Sequence, residues 1–290
     1  MKKLLSAIAL CLLSMTVVAQ DWVDITDDFI ANPRLEGNDK GWNGWVSGAI
    51  NYGYQSNWGG YKNETDGITI YQFVEAWCPT YNGYLGNGKI YQTMKVPKGK
   101  YRLSADGIAT QQSDASVSPK GAYLYADTDG SVWTAKTPMA TANGIPKHFE
   151  VVFERSEDAF LNLGIMIVGK ESNINWIGAT NFKLEAAKET YVALQSMTIT
   201  PASKTLSPGE KMQLEVGFMP ENATIRTCKF RSSNTKIAKV NEEGVVTAIA
   251  EGTAEIIAYT ASGVQAKCNV TVKIERAPYI EGGLVINEIQ

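Results

Sequence analysis

Residues 211–218, KMQLEVGF, carry the clearest indication of the fold class. Met212, Leu214, Val216 and Phe218 alternate with charged or small residues, which is the two-residue period of a half-buried β-strand. Short runs of the same kind follow, and turn signals such as Ser-Asn and Ser-Gly separate them. These runs are TCKFRSS, KIAKV, GVVTAIA, TAEIIAYT and AKCNVTV. The second half of the chain is therefore predicted to be an antiparallel β-sandwich.

The first half of the chain has the same strand pattern. Its runs are GITIYQFVEAW, GKIYQTMKV, GKYRLSADGIAT, GAYLYAD, KHFEVVFE and AFLNLGIMIVG. Beyond residue 20 the sequence shows no long helical periodicity. We predict an all-β chain built from two sandwiches.

Composition divides the chain near residue 188. All 7 tryptophans precede that point, whereas the following part is rich in Thr, Val, Ala and Ile. A short polar connector, EAAKETYVA, lies at the change. The predicted segments are 1–20, 21–187, 188–274 and 275–290.

The N-terminal segment predicts export. Residues 1–20, MKKLLSAIALCLLSMTVVAQ, combine two lysines, an apolar run and small residues at the end, as a secretory signal peptide does. No later segment is apolar over the ~20 residues that a bilayer crossing needs. The net charge of −3 lacks the basic excess of nucleic-acid-binding proteins. We expect a protein that is secreted, or at the cell surface or in the periplasm of a Gram-negative-type bacterium. It should have no transmembrane segment after cleavage and no nucleic-acid partner.

Three cysteines remain after signal cleavage: Cys78, Cys228 and Cys268. An odd number leaves at least one thiol unpaired. Cys228 and Cys268 share the inward parity of their strands. A disulfide between them and two buried thiols both remain open, because the required Cα separation is a property of the fold.

A family resemblance covers residues 192–272. The ordered motifs SPGE, RSSN, IAKV, GVVTAIAEGTAEI and NVTV resemble the group 2 bacterial immunoglobulin-like (Ig-like) domain. Phe230 stands where members usually carry Trp. The resemblance implies an Ig-like sandwich that acts as a spacer or adhesion module, without catalytic residues.

A second resemblance covers residues 24–186. FIANPRLEGNDKGWNGW, KIYQTMKVPKGKYRLSADGIA and WIGATNFKLE are similar to segments of galactose-binding-like jelly rolls, which occur as carbohydrate-binding modules. The two resemblances together imply an N-terminal jelly-roll β-sandwich followed by an immunoglobulin-like β-sandwich. In the jelly-roll family an acidic residue often helps to hold a structural calcium, but Thr180 occupies that position and Leu35 replaces the usual aromatic. Asn32 and Glu36 are the remaining candidate calcium ligands, and we predict no cofactor.

Aromatic residues suggest a binding site in the first sandwich. Sugar C–H faces stack on indole and phenol rings, and amide groups nearby bond hydroxyls. By the alignment to the jelly rolls, Trp42 and Trp176 are structural. The other rings fall in GWVSGAINYGYQSNWGGY, a Gly-, Ser- and Asn-rich stretch with weak strand periodicity, and in AWCPTYNGYLGNG, which reads as a loop. Loops carry binding residues more often than strands do. Rings that pin the loops to the protein itself are the alternative. The candidate carbohydrate-binding residues are Trp58, Trp77, Tyr81, Tyr84, Tyr54, Asn57, Asn82 and Gln111.

Catalytic motifs are missing from the sequence. His148 is the single histidine and lies in a strand-like run with no nucleophile motif beside it. Asp129-Gly130 reads as a hairpin turn rather than part of a calcium loop. We therefore expect a non-catalytic protein whose partner is a glycan or polysaccharide, with other cell-surface proteins as further partners.

Two alternatives of other classes remain. One is a structural or adhesive surface protein without a sugar site. The other is the non-catalytic front of a longer exported enzyme. The second is favoured by GLVINEIQ at residues 283–290, which resembles the opening strand of a lamin-tail-type domain.

Overall fold

The computed structural model describes residues 20–79, 83–128 and 134–275. The predicted signal peptide cut at residue 20, the Asp129-Gly130 turn and the lamin-tail-type strand fall wholly or almost wholly outside these ranges.

Within the described ranges the chain is nearly all β, which confirms the predicted fold class. The elements before residue 188 are β1 (Trp22–Asp24), α1 (Thr26–Phe29), β2 (Asn43–Val46), β3 (Asn51–Lys62), β4 (Thr69–Trp77), β5 (Gly88–Val96), β6 (Gly99–Thr110), β7 (Ala122–Thr128), β8 (Thr134–Pro138), β9 (Lys147–Arg155), β10 (Ala159–Ile167) and β11 (Trp176–Ala187). The later elements are β12 (Ser196–Thr200), β13 (Ser203–Leu206), β14 (Lys211–Gln213), β15 (Glu215–Met219), β16 (Lys229–Ser232), β17 (Ala238–Val240), β18 (Val245–Ala248), β19 (Gly252–Tyr259) and β20 (Gln265–Val272).

Two sheets form the first sandwich. One sheet has the order β3-β4-β11-β6-β9, with β1 also paired to β11, and the other has the order β2-β5-β10-β7-β8. All pairings in both sheets are antiparallel. Alternate residues of the facing strands, such as Val74 and Ala76 of β4 and Leu163 and Ile165 of β10, form the core between the sheets. The other alternate residues are thereby placed on the outer faces.

The second sandwich has its own core. Leu214, Ile256 and Val270 are buried there, and Met212, Val216 and Phe218 pack against them. The two-residue alternation read in residues 211–218 is confirmed, although Leu214 separates the run into β14, which pairs with β18, and β15, which pairs with β12.

Cys228 and Cys268 are free thiols in the structure, as is Cys78. Cys268 is in β20, and Cys228 directly precedes β16, while β19 lies between these two strands. One intervening strand separates the thiols by about two strand spacings, roughly 10 Å, which exceeds the Cα separation of a disulfide. Of the two open alternatives, the structure therefore has the free thiols.

The Gly-, Ser- and Asn-rich aromatic stretch, whose strand periodicity is weak in the sequence, is mostly β-strand in the structure. Trp45 belongs to β2, whereas Tyr52, Tyr54 and Trp58 belong to the twelve-residue strand β3. Gly, Ser and Asn have low intrinsic strand preference, but β3 pairs with β4 along most of its length and this tertiary pairing decides its conformation. The register shifts between Ser56 and Tyr61, which is where the alternation in the sequence is weakest.

Candidate functional site

A pocket of about 630 Å³ opens on the outer face of the sheet that contains β3, β4 and β11. Its volume lies within the range usual for small-ligand sites. The described residues that line it are Ile50, Asn51, Gln55, Tyr61, Phe73, Glu75, Trp77, Gln112 and Trp176.

Cross-strand pairing builds the pocket. Trp77 of β4 lies opposite Asn51 on β3 and Trp176 on β11, so these side chains share one face of the sheet. Glu75, the next outward residue of β4, lies opposite Gly53 on one side and Gly178 on the other.

The two glycines make the depression around Glu75. A Cβ atom at position 178 would lie 3.3 Å from the Phe73 Cβ and 3.4 Å from the Glu75 Cβ. Any larger side chain there would project over the pocket floor. The carboxylate of Glu75 is therefore left without a side chain beside it on either neighbouring strand.

The pocket floor is a small aromatic cluster that is separate from the sandwich core. Trp176, Phe73, Ile70 and Ile108 are buried in this cluster, and Tyr61 packs against it. The Tyr61 ring centroid is 5.3 Å from the Trp176 ring centroid. Edge and tilted contacts of this kind are favourable for aromatic pairs.

Glu75 is bound into this floor. It is only 6% exposed, and the Trp176 Nε1–H donates a hydrogen bond of 2.7 Å to its Oε2 atom. Burial raises the pKa of Glu75 above the ordinary value, and the hydrogen bond from Trp176 opposes that shift. Burial, with a further contribution from the Glu75 charge, also raises the pKa of Tyr61.

Amide side chains and one exposed ring complete the lining. Trp77 is 37% exposed. Asn51, Gln55 and Gln112 contribute amide groups, and the Asn51 Nδ2 lies 3.4 Å from the Gln55 Oε1. A ring beside amide donors and acceptors is the combination that a sugar ring requires.

The structure brings only one of the predicted sugar-binding side chains that it describes into this pocket. Trp77 lines it, and Tyr84 is exposed but lies outside the lining. Tyr54 lies opposite the core residue Val74, has the inward parity and packs against the sandwich core. Tyr54 is therefore not brought into this pocket, because strand pairing places its ring on the opposite face of the sheet from Trp77.

Gln111 is also placed differently from the prediction. It is 3% exposed, donates from Nε2 to the Gly83 carbonyl at 3.3 Å, and accepts at Oε1 from the Ser113 hydroxyl at 2.9 Å. These hydrogen bonds join the Gln111 side chain to Gly83 and Ser113. The neighbouring residue Gln112 lines the pocket instead. Tyr81, Asn82 and the side chains of Asn57 and Trp58 lie outside the described part of the chain.

Several lining residues were missed from the sequence: Ile50, Asn51, Gln55, Tyr61, Phe73, Glu75 and Gln112. The predicted structural role of Trp176 is also incomplete, since it is buried at 4% exposure but forms part of the pocket floor. A signal existed in residues 69–77, TIYQFVEAW, where Phe73, Glu75 and Trp77 share one parity.

The candidate calcium ligands form a tight loop. The Asn32 Oδ1 accepts a hydrogen bond of 2.8 Å from the Glu36 backbone N–H, and its Nδ2 donates to the Asn38 carbonyl at 2.8 Å. Leu35 adopts a φ of 54° there and is fully buried. Across the described ranges, no group of three or more His, Cys, Asp or Glu residues is placed to hold a metal ion.

Each half of the chain matches a known protein-family model. Residues 193–272 match the bacterial Ig-like domain (group 2), and residues 27–164 match a domain of unknown function, DUF5013. The Ig-like virion protein of Serratia phage KSP90 is 35% identical over 191 residues, which cover 63% of this chain and 69% of that protein. The chain belongs to the same family of Ig-like proteins. The resemblance read from the motifs of residues 192–272 is thereby confirmed.

Two further proteins are similar to parts of this chain. The kappa-carrageenase of Pseudoalteromonas carrageenovora is 37% identical over 76 residues, which are 26% of this chain and 19% of the enzyme. The solved structure of TmCBM61 in complex with β-1,4-galactotriose covers 53% of this chain and 95% of its own length, with a TM-score of 0.38 and 14% identity. Among the described residues, no helix has the length and apolar character needed to cross a membrane.

Proposed function

We propose that this protein binds carbohydrate, without catalysing a reaction, at the outer-face pocket of its first sandwich. The observation that carries the proposal is the partly exposed Trp77 ring above a pocket of about 630 Å³ whose lining also includes three amide side chains. The indole face stacks on the C–H face of a sugar ring, and Asn51, Gln55 and Gln112 bond its hydroxyls. Trp58 and Tyr84 are proposed as additional contacts.

The second sandwich acts as a spacer or adhesion module in this proposal. Its match to the group 2 bacterial Ig-like domain supports that role. The similarity to a kappa-carrageenase over 76 residues supports a role for this chain alongside carbohydrates. Export to the cell surface or beyond belongs to the same proposal and rests on the N-terminal sequence pattern.

Affinity should be modest. An open site gains little free energy after the sugar hydroxyls lose their water, so we expect about 4–6 kcal/mol per site. Affinity electrophoresis against a panel of polysaccharides, followed by calorimetry on those retained, measures this binding.

Trp77→Ala is the decisive variant. Removal of the stacking surface should weaken binding by about ten-fold or more, because an exposed ring that becomes covered by ligand contributes about 1–2 kcal/mol. Trp45→Ala is the matched control, since Trp45 is 52% exposed on β2 of the other sheet and does not line the pocket. Wild-type affinity in Trp77→Ala would remove this pocket as the sugar site.

A further inference from the structure

We infer that the outer-face pocket selects neutral glycans and rejects anionic ones, with Glu75 as the residue that sets this preference. The inference rests on the proposed carbohydrate binding and adds the chemical class of the ligand. It follows from the position of Glu75, the charges around it and its hydrogen-bonding capacity.

Glu75 is central in the pocket rather than at its rim. It lies on β4 between Phe73 and Trp77, and all three line the pocket. Gly53 and Gly178 flank it on the neighbouring strands, so no side chain from either position covers the carboxylate. A sugar ring stacked on Trp77 therefore lies close to the Glu75 side chain.

The pocket offers no positive charge to balance an anionic ligand. None of the described lining residues is Lys, Arg or His. A second carboxylate lies close by, since the Asp39 Oδ2 is 3.4 Å from where a Cβ atom on Gly53 would be. A uronate or sulfate group in this pocket would meet like charge at short range and in a partly desolvated setting.

Neutral sugars fit the same carboxylate. Among the described residues, the one side-chain hydrogen bond to the Glu75 carboxylate comes from Trp176. A carboxylate accepts about four hydrogen bonds, so Glu75 keeps acceptor capacity for sugar hydroxyls. Hydrogen bonds from hydroxyls to a charged acceptor are stronger than those between neutral groups. Burial raises the pKa of Glu75, so mildly alkaline buffer is the condition that keeps it ionised.

The test uses pairs of glycans that differ only in charge. Galactan, mannan and a cellulose-type glucan are each compared with the same polymer after oxidation of its primary hydroxyls to carboxylates. Affinities are measured in mildly alkaline buffer with the full chain. The wild-type protein should bind at least one neutral polymer and bind its oxidised form about ten-fold more weakly or worse.

Glu75→Gln separates charge from shape. Glutamine keeps the size of the side chain and an oxygen that accepts a hydrogen bond from the Trp176 N–H. Because the charge is lost, the difference in affinity between a neutral polymer and its oxidised form should fall to about threefold or less. Glu154→Gln is the matched control, since it removes the same charge from an exposed position on β9. It should leave the difference in affinity between neutral and oxidised polymers unchanged.

The outcomes are distinct. If the wild-type protein binds a neutral polymer and its oxidised form equally, or prefers the oxidised form, the selectivity inference is wrong while carbohydrate binding stands. If neither form of any polymer binds, both proposals are wrong. Should Glu75→Gln fail to fold, the wild-type comparison still decides the inference.

Discussion

His148 on β9 lies between two carboxylates, Asp106 and Glu150. Its Nδ1 lies 3.0 Å from the Asp106 Oδ1, and its Nε2 lies 3.5 Å from the Glu150 Oε1, which Arg102 also contacts at 3.3 Å. The hydrogen bond that His148 donates to the Asp106 carboxylate raises the pKa of His148 above its ordinary value of 6.5. Burial acts to raise the pKa of Asp106, but hydrogen bonds from His148 and Asn181 outweigh it and leave that pKa lowered.

The stability contributed by His148 should depend on pH. Because its folded-state pKa is raised, the contribution is fully present below about pH 6.5 and is lost as pH rises through the raised value. The lowered pKa of Asp106 adds stability above its unfolded value that is lost in acid. The difference in melting temperature between wild type and His148→Gln should therefore be largest in mildly acidic buffer and shrink towards pH 8.5.

Calorimetry over a pH series measures the His148 effect. Val152→Ala is the control, since Val152 is exposed on the same face of β9 and does not titrate. If the difference in melting temperature between the wild-type protein and His148→Gln stays constant across the pH series, the imidazole charge contributes nothing to stability.

Strand β5 shows how close backbone approach constrains an element. Gly44 of β2 and Gly164 of β10 face it from its two sides near Ile90 and Tyr91. A Cβ atom at position 164 would lie 2.1 Å from the Ile90 carbonyl oxygen and 2.9 Å from the Tyr91 Cα. These atoms belong to backbone at the centre of a sheet, so they cannot move without disturbing its pairing.

Gly164→Ala should destabilise the first sandwich by about 3 kcal/mol or more, because β10 and β5 must separate to admit one methyl group. Urea unfolding monitored by tryptophan fluorescence measures this change, since all 7 tryptophans precede residue 188. Gly59→Ala is the control, because nothing lies within 4 Å of the added atom. Equal stability of the two variants would show that β5 and β10 can separate enough to admit a methyl group without a cost in stability.

At the scale of the whole molecule, short contacts join the two sandwiches. Asp28 of α1 accepts a hydrogen bond of 2.7 Å at Oδ1 from the Ala261 backbone N–H. Its backbone carbonyl accepts from the Thr227 hydroxyl at 3.2 Å, and the Asp27 carbonyl accepts from the Lys229 Nζ at 2.9 Å. Ile225 is buried with the core of the first sandwich. These contacts join the Ig-like module to the sandwich that carries the outer-face pocket.

Asp28→Ala should loosen the contact between the two modules. The loss of a partly buried, charge-assisted hydrogen bond costs the interface about 1 kcal/mol. Small-angle scattering should then show a broader distribution of interatomic distances than in the wild-type protein. Asp27→Ala is the control, because the contact from Lys229 uses the backbone carbonyl of Asp27, which the substitution keeps. Identical scattering from all three proteins would mean that the Asp28 hydrogen bond does not restrain the two modules.

Much of the fold was predictable because strand parity is a local property. The alternation in residues 211–218 and in runs such as AFLNLGIMIVG gave the strands of both sandwiches before their pairing was known. The outer-face pocket was harder to predict, because two of the candidates taken from the sequence, Tyr54 and Gln111, do not line it. Tyr54 and Trp77 each lie on a strand, and only the register of the β3–β4 pair shows that their side chains are on opposite faces.

Local sequence patterns were enough to predict that this protein is all β, that its second module is Ig-like and that aromatic residues concentrate in the first module. That Trp77, Glu75 and Trp176 share one pocket became known only from the way the strands pair in the folded chain. Glu75 and Trp176 are 101 residues apart in the chain. Their contact requires antiparallel pairing of β4 with β11 in a particular register, and a shift of one residue would place either side chain on the other face. Strand alternation is fixed by neighbouring residues along the chain, whereas register is fixed by the packing of the whole sandwich.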